Sequence, residues 1–331
     1  MMWEIAKLGD ISKNIQTGPF GSQLHQSDYS ECGIPVVMPK DLVGGKISEE
    51  SIARVDKTHV ERLCRHKIEV GDILYSRRGD VGRCAHVTKK EEGWLCGTGC
   101  LRVTIDSEKA DSRFVFFQLQ HPDTVGWVEK HAVGATMLNL NTTILSSVPI
   151  RLPTLEIQKR IADILSAYDD LIENNQKQIK LLEEAAQRLY KEWFVDLRFP
   201  GHENTKIVDG VPEGWSRTNI NEILTFHRGY DLTKNEMKAG RYPVVGSTTV
   251  IGYHNEFKIK GPGIVTGRSG SLGKYQFIWD NFWPHNTSLY ISDYKDHNIF
   301  FVYSLLQTVD FASLNNCLLY TSPSPRDRSL S

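Results

Sequence analysis

The sequence has little that marks an exported or membrane protein. Its first residues lack the basic-then-apolar layout of a signal peptide, and no apolar run approaches the roughly 18 residues needed to span a membrane. The six cysteines are scattered over 331 residues without a compact framework, which predicts reduced thiols and a cytoplasmic location. Cys96 and Cys100 are close, but no second pair stands at zinc-ligand spacing, so no structural metal is expected.

An excess of charge of either sign is also missing. The chain has 39 Lys and Arg against 40 Asp and Glu, so its formal net charge is -1. No field of the whole molecule therefore marks a nucleic-acid binder, and any such face must come from local clustering. The hydrophobic fraction of 40% and charged fraction of 24% are typical of a globular protein, with enough length for two domains.

Motifs of nucleotide-dependent and hydrolytic enzymes are absent. The segment around Gly267 resembles a P-loop, but Gly273 follows six positions later rather than five, and Tyr275 rather than Ser or Thr follows Lys274. No G-x-G-x-x-G opens a βαβ unit, and the single histidines have no neighbouring nucleophile elbow. A stand-alone methyltransferase or nuclease, which would need a cofactor pocket or a metal site, is therefore the weaker interpretation.

What the sequence does contain is a seven-residue repeat in its middle. Apolar residues recur there at alternating steps of four and three, which predicts the seam of a coiled-coil helix. The seam consists of Ile161, Leu165, Tyr168, Ile172, Asn175, Ile179, Leu182, Ala186, Leu189 and Trp193. Thr154 is the predicted N-cap, and about forty residues give a rod of roughly 60 Å. Such a seam needs a partner helix; the alternative is a surface helix packed on its own domain.

The segments on either side of this helix resemble each other. Residues 71–83 align with residues 262–274, and both contain an apolar strand, an Arg, a G-x-x-G turn and a second cation. Each segment also has a Pro-Val-Val strand upstream and an aromatic helix start downstream. This internal repeat predicts two related globular units.

The G-x-x-G turns are the candidate nucleic-acid contacts. Glycine leaves backbone amides open to a polyanion, and Arg suits phosphate or a guanine edge. The predicted DNA-binding residues are Lys40, Arg77, Arg78, Gly79, Gly82, Arg83, Arg268, Gly270, Gly273 and Lys274. The alternative is a β-hairpin whose glycines serve only the turn and whose cations are solvated.

These patterns predict a mixed α/β (α+β) fold with two globular domains and a long coiled-coil helix. The predicted segments are a first domain at 1–152, the helix at 153–199, a linker at 200–214, a second, incomplete domain at 215–316 and a disordered tail at 317–331. The tail is rich in Ser, Pro and Arg and has no fold pattern.

Three stretches carry a family resemblance. The run PIRLPTLEIQKRIADIL at 149–165, the run ENNQ at 173–176 and the run LYKEWFVDLRFPG at 189–201 resemble the conserved helix and linker of specificity subunits of type I restriction-modification systems. Residues 17–22 and 139–141 are similar to the first target recognition domain of that family. The resemblance covers about residues 1–316.

This resemblance implies a fold and a role. Family members have two target recognition domains, each of which reads one half of a bipartite double-stranded DNA site. Two antiparallel helices set the spacing and dock modification subunits, and restriction subunits join them. The resemblance implies that the chain is not catalytic and holds no cofactor, because S-adenosylmethionine, ATP and Mg²⁺ belong to the partner subunits.

The sequence departs from the family at its C-terminal end. The second conserved helix of the family is missing, and residues 317–331 look like read-through, so a truncated chain is expected. The seam would then pair with the helix of a second copy. Two alternatives remain: a structural adaptor that uses the same helix without binding DNA, and the specificity part of another restriction or methylation system. Basic residues on one face of each domain would favour DNA over the adaptor.

Overall fold

A computed structural model describes residues 3–134, 138–268 and 271–309. The chain forms two compact units, unit 1 (Met1–Asn175) and unit 2 (Gln176–Ser331). Both are mixed α/β, as predicted. The division falls inside the long helix, so the predicted domain bounds remain predictions, and the predicted tail at 317–331 lies outside the described residues.

Unit 1 is a set of short strands followed by helices. Its strands are β1 (Glu4–Lys7), β2 (Ser12–Thr17), β3 (Tyr29–Ser30), β4 (Ile34–Val37), β5 (Leu42–Val43), β6 (Lys46–Ile47), β7 (Ala53–Val55), β8 (Ile73–Ser76), β9 (Cys84–His86), β10 (Leu95–Cys96), β11 (Cys100–Ile105) and β12 (Pro149–Leu152). Its helices are α1 (Lys57–Arg62), α2 (Ser112–Gln120), α3 (Pro122–His131), α4 (Thr142–Ser146) and the first part of α5 (Leu155–Tyr190).

The main sheet of unit 1 has the order β2-β11-β8-β9 and is antiparallel throughout. Alternate residues of β11 are fully buried, because one face of the strand packs on α2, as Leu101 and Val103 do. A second sheet, β10-β4-β7-β3, contains one parallel pair, β10 with β4. The core of unit 1 lies on these two sheets.

Unit 2 contains the remaining elements. They are the second part of α5, then β13 (Ile207–Val208), β14 (Val211–Pro212), α6 (Ile220–Ile223), β15 (Thr225–Arg228), β16 (Tyr242–Val245), β17 (Val250–His254), β18 (Gly263–Gly267), β19 (Tyr275–Ile278), β20 (Trp283–Pro284), β21 (Ser288–Asp293) and α7 (Ile299–Thr308).

The predicted internal repeat is confirmed by sheet topology. The sheet β15-β21-β18-β19 has the strand order and antiparallel pairing of β2-β11-β8-β9. The parallel pair β16 with β20 matches β4 with β10, and α7 follows β21 as α2 follows β11. Two segments with little common surface sequence therefore fold on one plan.

The predicted long helix is present as α5. Its 36 residues correspond to a rod of about 54 Å. The helical structure continues to Val195, but residues Lys191–Val195 form a π-helix rather than an α-helix. There the N–H of Asp196 donates to the carbonyl of Lys191, and the Phe194 ring stacks on Tyr190 at 4.8 Å. Trp193, the last predicted seam residue, lies in this turn, where α-helical spacing no longer applies.

Most of the seam is exposed. Leu165, Tyr168, Ile172, Ile179, Leu182 and Leu189 are between 38% and 70% exposed. Asn175 is exposed as well. The seam from Leu165 to Leu189 is therefore exposed rather than packed on the helix's own domain. At its two ends, Ile161 packs on the core of unit 1 and Trp193 is half-buried.

A different face of α5 fastens it to unit 1. The amide of Gln158 is buried, accepting from the N–H of Asp111 (3.0 Å) and donating to the carbonyl of Pro153 (2.8 Å). Arg113 forms an ion pair with Asp163 at 2.9 Å, and Lys46 forms one with Glu173. The contacts of Gln158 and Asp163 hold the start of the helix against α2, and that of Glu173 holds its middle against the β5–β6 hairpin.

The predicted linker contains regular structure. Ile207 pairs with Pro212 and Val208 with Val211 in a small hairpin. Its turn is Asp209-Gly210, with both residues at positive φ (52° and 76°). An Asp-Gly pair between apolar residues is a strong hairpin signal, which the sequence analysis did not use.

Removing the Gln158 side chain should weaken unit 1 locally. In Gln158→Ala the N–H of Asp111 and the carbonyl of Pro153 lose their buried partner, at a cost of about 2 kcal/mol. Hydrogen exchange of the amides at the start of α2 should show this loss as a lower free energy of local opening. The exposed Gln178→Ala on the same helix is the control and should change it by less than about 0.5 kcal/mol. Equal protection in both variants would contradict the fastening role.

The burial of His86 should make unit 1 sensitive to acid. Burial, with Arg113 nearby, lowers the pKa of His86 to about 4, and its Nε2 lies 2.9 Å from the Ser112 hydroxyl. The unfolded chain binds this proton near pH 6.5, so stability falls as pH drops through the window from 6.5 to 4. Between pH 7.5 and 5 we expect a loss of about 2 kcal/mol.

Urea denaturation at the two pH values measures this loss. His86→Gln should show a smaller pH dependence than the parent chain, because the glutamine does not titrate. Burial also lowers the pKa of His66, so part of the acid sensitivity should remain in the variant. Identical pH dependence in the two proteins would show that His86 does not contribute.

Candidate nucleic-acid interface

The loops at one edge of unit 1 come together because of strand direction. In the main sheet β2 and β8 end where β11 and β9 begin. The parallel strands β4 and β10 also end there, with the N–H of Gly97 donating to the carbonyl of Val37 at 2.9 Å. We call these loops the rim of unit 1: residues 18–25, 38–41, 77–83 and 97–99.

Backbone contacts hold the rim together. The N–H of Gly18 donates to the carbonyl of Cys100 at 2.9 Å, and the Thr98 hydroxyl donates to the carbonyl of Pro19 at 3.0 Å. A Cβ atom at residue 18 would lie 2.0 Å from the carbonyl oxygen of Gly97. Only glycine therefore permits this approach of the first and last rim loops.

The predicted G-x-x-G loop is the connection of a β-hairpin between β8 and β9. Gly79 has φ +77°, a conformation that other residues rarely adopt, and its N–H donates to the carbonyl of Leu138. Gly82 packs against Val125 of α3, where a Cβ would lie 2.9 Å from a methyl carbon. The glycines thus serve the turn and its packing, as the hairpin alternative proposed.

The predicted cations of the rim differ in their surroundings. Arg83 pairs with Asp80 at 2.7 Å, and Lys40 donates to the carbonyl of Ser51 at 2.8 Å. Arg78 is exposed, and no partner for its guanidinium is found among residues 3–134, 138–268 and 271–309. Arg77 is half-buried, and its backbone bonds to Gly99 and Leu140 fix the start of the loop. Arg78 is therefore the most available cation of this loop.

Unit 2 has an equivalent edge. The N–H of Gly229 donates to the carbonyl of Ser288 at 3.0 Å, and the N–H of His285 donates to that of Val245 at 2.9 Å. The N–H of Arg268 donates to the carbonyl of Thr287. Among the described residues, the rim of unit 2 consists of residues 229–232, 246–249, 268, 271–274 and 285–287.

The predicted residues of unit 2 lie on this rim. The Arg268 guanidinium donates to the carbonyl of Asn286 at 3.1 Å. Lys274 is exposed, and Gly273 has φ +90°, so the turn again needs glycine at this point. Gly270 lies outside the described residues. Among the described residues, the predicted DNA-binding residues of each unit therefore lie at one edge of its main sheet. Lys40 is an exception, because it reaches this edge from the neighbouring sheet.

Sequence reasoning missed several rim residues. Thr98 and the loop 285–287 carry no motif, and only the strand pairing brings them to the rim. Phe20 is 57% exposed on the first rim loop and is not among the predicted DNA-binding residues. In unit 2 the rim residue Tyr230 lies beside Lys258, which is outside the rim and whose amine is 4.7 Å from the centre of the Trp283 ring. A large exposed aromatic residue next to a turn would have been the available signal for Phe20.

The described residues contain no group of three or more His, Cys, Asp or Glu able to hold a metal ion. No described helix is long and apolar enough to cross a membrane. Cys84, Cys96 and Cys100 are free, buried thiols whose burial raises their pKa.

Comparison with protein families identifies this architecture. The model of the type I restriction modification DNA specificity domain matches residues 2–184, more than half of the chain. The chain belongs to this family. The match includes all of unit 1, with its rim, and α5 as far as Glu184.

Individual relatives have the same character. The chain is 28% identical over 243 residues to the type I restriction enzyme MjaIX specificity subunit of Methanocaldococcus jannaschii, covering 71% of this chain and 54% of that protein. It is 27% identical over 198 residues to the HindI specificity subunit of Haemophilus influenzae, covering 59% and 41%. The chain thus spans about half the length of the curated relatives it matches.

A solved structure shares the fold. The crystal structure of the type I restriction-modification system S subunit from M. genitalium matches with a TM-score of 0.59 and 17% identity, over 98% of this chain and 80% of that one. The mixed α/β units and the long helix are therefore the architecture of a known S subunit fold.

The close approach at Gly18 provides a test of the rim. Gly18→Ala places a methyl group against the Gly97 carbonyl, so the loops 18–25 and 97–99 must separate. Amide exchange at residues 97–99 should accelerate at least tenfold, and the melting temperature should fall. Gly21→Ala in the same loop is the control, because a Cβ there meets nothing within 4 Å. Unchanged exchange in Gly18→Ala would show that this contact does not hold the rim.

Proposed function

We propose that this chain is a DNA sequence-specificity subunit of a type I restriction-modification complex. The rim of each unit would read one half of a bipartite double-stranded DNA site. Helix α5 would set the spacing between the halves and dock modification subunits, which restriction subunits then join. The observation that carries the proposal is the repetition of one rim, built on one strand order, in two units of a family member.

The charge of the rim supports DNA as the ligand. The rim loops of unit 1 contain four cationic side chains and two acidic ones, Asp41 and Asp80. Asp41 is buried, and its carboxylate accepts a hydrogen bond from the N–H of Met38. Asp80 is paired with Arg83. Because Arg binds phosphate or a guanine edge in a bidentate way, exposed Arg78 suits either contact. The clustering of cations on one edge favours this function over a DNA-independent adaptor.

The proposal assigns the chemistry to other subunits. This chain would recognise DNA in the cytoplasm without catalysing a reaction. S-adenosylmethionine, ATP and Mg²⁺ would belong to the modification and restriction subunits. The exposed seam of α5 is the surface that the proposal offers to these subunits or to a second copy of the chain.

Methylation mapping tests the function. The chain is expressed with the modification subunit of its own locus in a host without other methylases, and methylated adenines are sequenced. We expect one bipartite motif with a constant spacer. Absence of any motif, together with absence of DNA binding by the complex, would favour the adaptor.

Arg78→Ala tests the rim. If Arg78 contacts a base, we expect the binding free energy for the cognate duplex to weaken by about 1–3 kcal/mol. If it contacts phosphate, we expect the slope of log affinity against log salt concentration to fall in magnitude by about one. Lys89→Ala is the control, because Lys89 is exposed in the turn after β9, at the opposite edge of the sheet. Affinity and salt slope are measured by fluorescence anisotropy. If Arg78→Ala has the same affinity and salt slope as the parent chain, Arg78 is not part of the interface.

A further inference from the structure

The first rim loop of unit 2 is held in the same way as that of unit 1. The N–H of Gly229 donates to the carbonyl of the first residue of β21, which is the bond that Gly18 makes to the first residue of β11. A Cβ atom at residue 229 would lie 2.1 Å from the carbonyl oxygen of His285, so the loops 229–232 and 285–287 are in close backbone contact. Positions on these loops therefore correspond between the two units.

The corresponding positions carry different side chains. The shared backbone bonds define three pairs of positions on the two rims: Arg77 with Arg268, Thr98 with Asn286 and Phe20 with Asp231. Arg77 is half-buried, whereas Arg268 is exposed. The exposed aromatic ring of Phe20 is replaced in unit 2 by the exposed carboxylate of Asp231. Because one backbone plan carries both sets, the fold does not require either of them.

In unit 2 these three residues form one polar cluster. The Arg268 guanidinium donates to the backbone carbonyl of Asn286 at 3.1 Å, and the side-chain amide of Asn286 donates to the Asp231 carboxylate. Within the part of the chain that the structure describes, neither Arg268 nor Asp231 has an ion-pair partner. The guanidinium has five N–H donors and the carboxylate two acceptor oxygens, so both keep hydrogen-bonding capacity for a ligand.

An exposed carboxylate on this edge restricts what the ligand can be. Phosphates of DNA repel it, so its presence at a DNA-binding edge is favourable only where it accepts a hydrogen bond from a base. In the major groove the N4 amino group of cytosine is the donor that suits Asp, and O6 and N7 of guanine are the acceptors that suit Arg. A guanidinium and a carboxylate that are both bound to Asn286 therefore match the two bases of one G·C pair.

We propose that Arg268 and Asp231 read a G·C base pair through the major groove in the half-site of unit 2. Arg268 donates to O6 and N7 of the guanine, and Asp231 accepts from the N4 amino group of the cytosine. Asn286 is a positioning residue that orients both side chains. This inference rests on the proposed function and adds which base pair is read and by which residues.

Modified duplexes test the guanine contact. The chain in complex with its modification subunit is titrated with the duplex of the mapped motif, and each guanine is replaced in turn by 7-deazaguanine, which lacks the N7 acceptor. Binding is followed by fluorescence anisotropy. We expect one replacement that weakens parent binding at least threefold. Arg268→Ala should bind the unmodified duplex at least fivefold more weakly and respond to that replacement by less than 1.5-fold.

A second base analogue tests the cytosine contact. The cytosine opposite the sensitive guanine is replaced by pyrimidin-2-one, which lacks the N4 amino group. Parent binding should weaken at least threefold, whereas binding of Asp231→Ala should change by less than 1.5-fold. Any general weakening of the duplex by the analogue affects both proteins equally, so the difference between them reports the contact.

Arg217→Ala is the matched control. Arg217 is an exposed arginine of unit 2 that lies beside Gly210 in the β13–β14 hairpin, outside the rim. This variant should keep the affinity of the parent and its response to both analogues. Circular dichroism checks that each variant is folded, and Asp231→Ala, at an exposed position, tests the inference by itself if Arg268→Ala is not folded.

Three results would overturn the inference and leave the proposed function intact. One is specific binding by the parent that no 7-deazaguanine replacement weakens. Another is an equal response of the parent and Arg268→Ala, with a salt slope lower by about one in the variant, which would mean a phosphate contact. The third is an equal response of the parent and Asp231→Ala to pyrimidin-2-one. If the parent complex binds the mapped duplex no better than a random one, the proposed function itself fails.

Discussion

The central strand of each main sheet is the constraint on which the rest of the structure depends. Because β11 pairs antiparallel on both sides, β2 and β8 must both end where it begins, and β21 imposes the same on β15 and β18. Loops that are far apart in sequence therefore lie together at one edge of the main sheet. Backbone hydrogen bonds then join them, so the rim is held mainly by the main chain rather than by its side chains.

Periodic features of the sequence were predictable, and features set by tertiary contacts were not. The helix, the Val-Val strands β4 and β16 and the repeat around β8 and β18 follow from local patterns. The position of Thr98 depends on pairing between distant strands, so no local pattern reveals it. The pairing of Arg83 with Asp80 depends on side-chain geometry within the turn. Phe194 in the π turn packs on Trp215 and Phe301 of another segment, and a heptad repeat does not encode such a contact.

Helix α5 separates two tasks by face. At 100° per residue, Ala162 and Glu173 lie within about 20° of each other, whereas seam residues Leu165 and Ile172 lie about 60–80° from Ala162. The face of Ala162 is buried or ion-paired against unit 1, and the seam stays accessible. Because the Ala162 face of α5 is fixed against unit 1, the direction in which the seam residues point is fixed as well. A surface that must bind a partner gains from being oriented before the encounter.

Some residues of the rim fix its backbone geometry and others are exposed, and this difference determines which positions tolerate substitution. Gly18 and Gly79 carry the geometry, while Phe20, Arg78 and Lys274 are exposed and have few structural duties. Substitutions at the exposed positions cost little folding free energy, since they remove no buried contact. Under the proposed function, new target preferences can therefore arise by substitution at a few outward positions, with the scaffold unchanged.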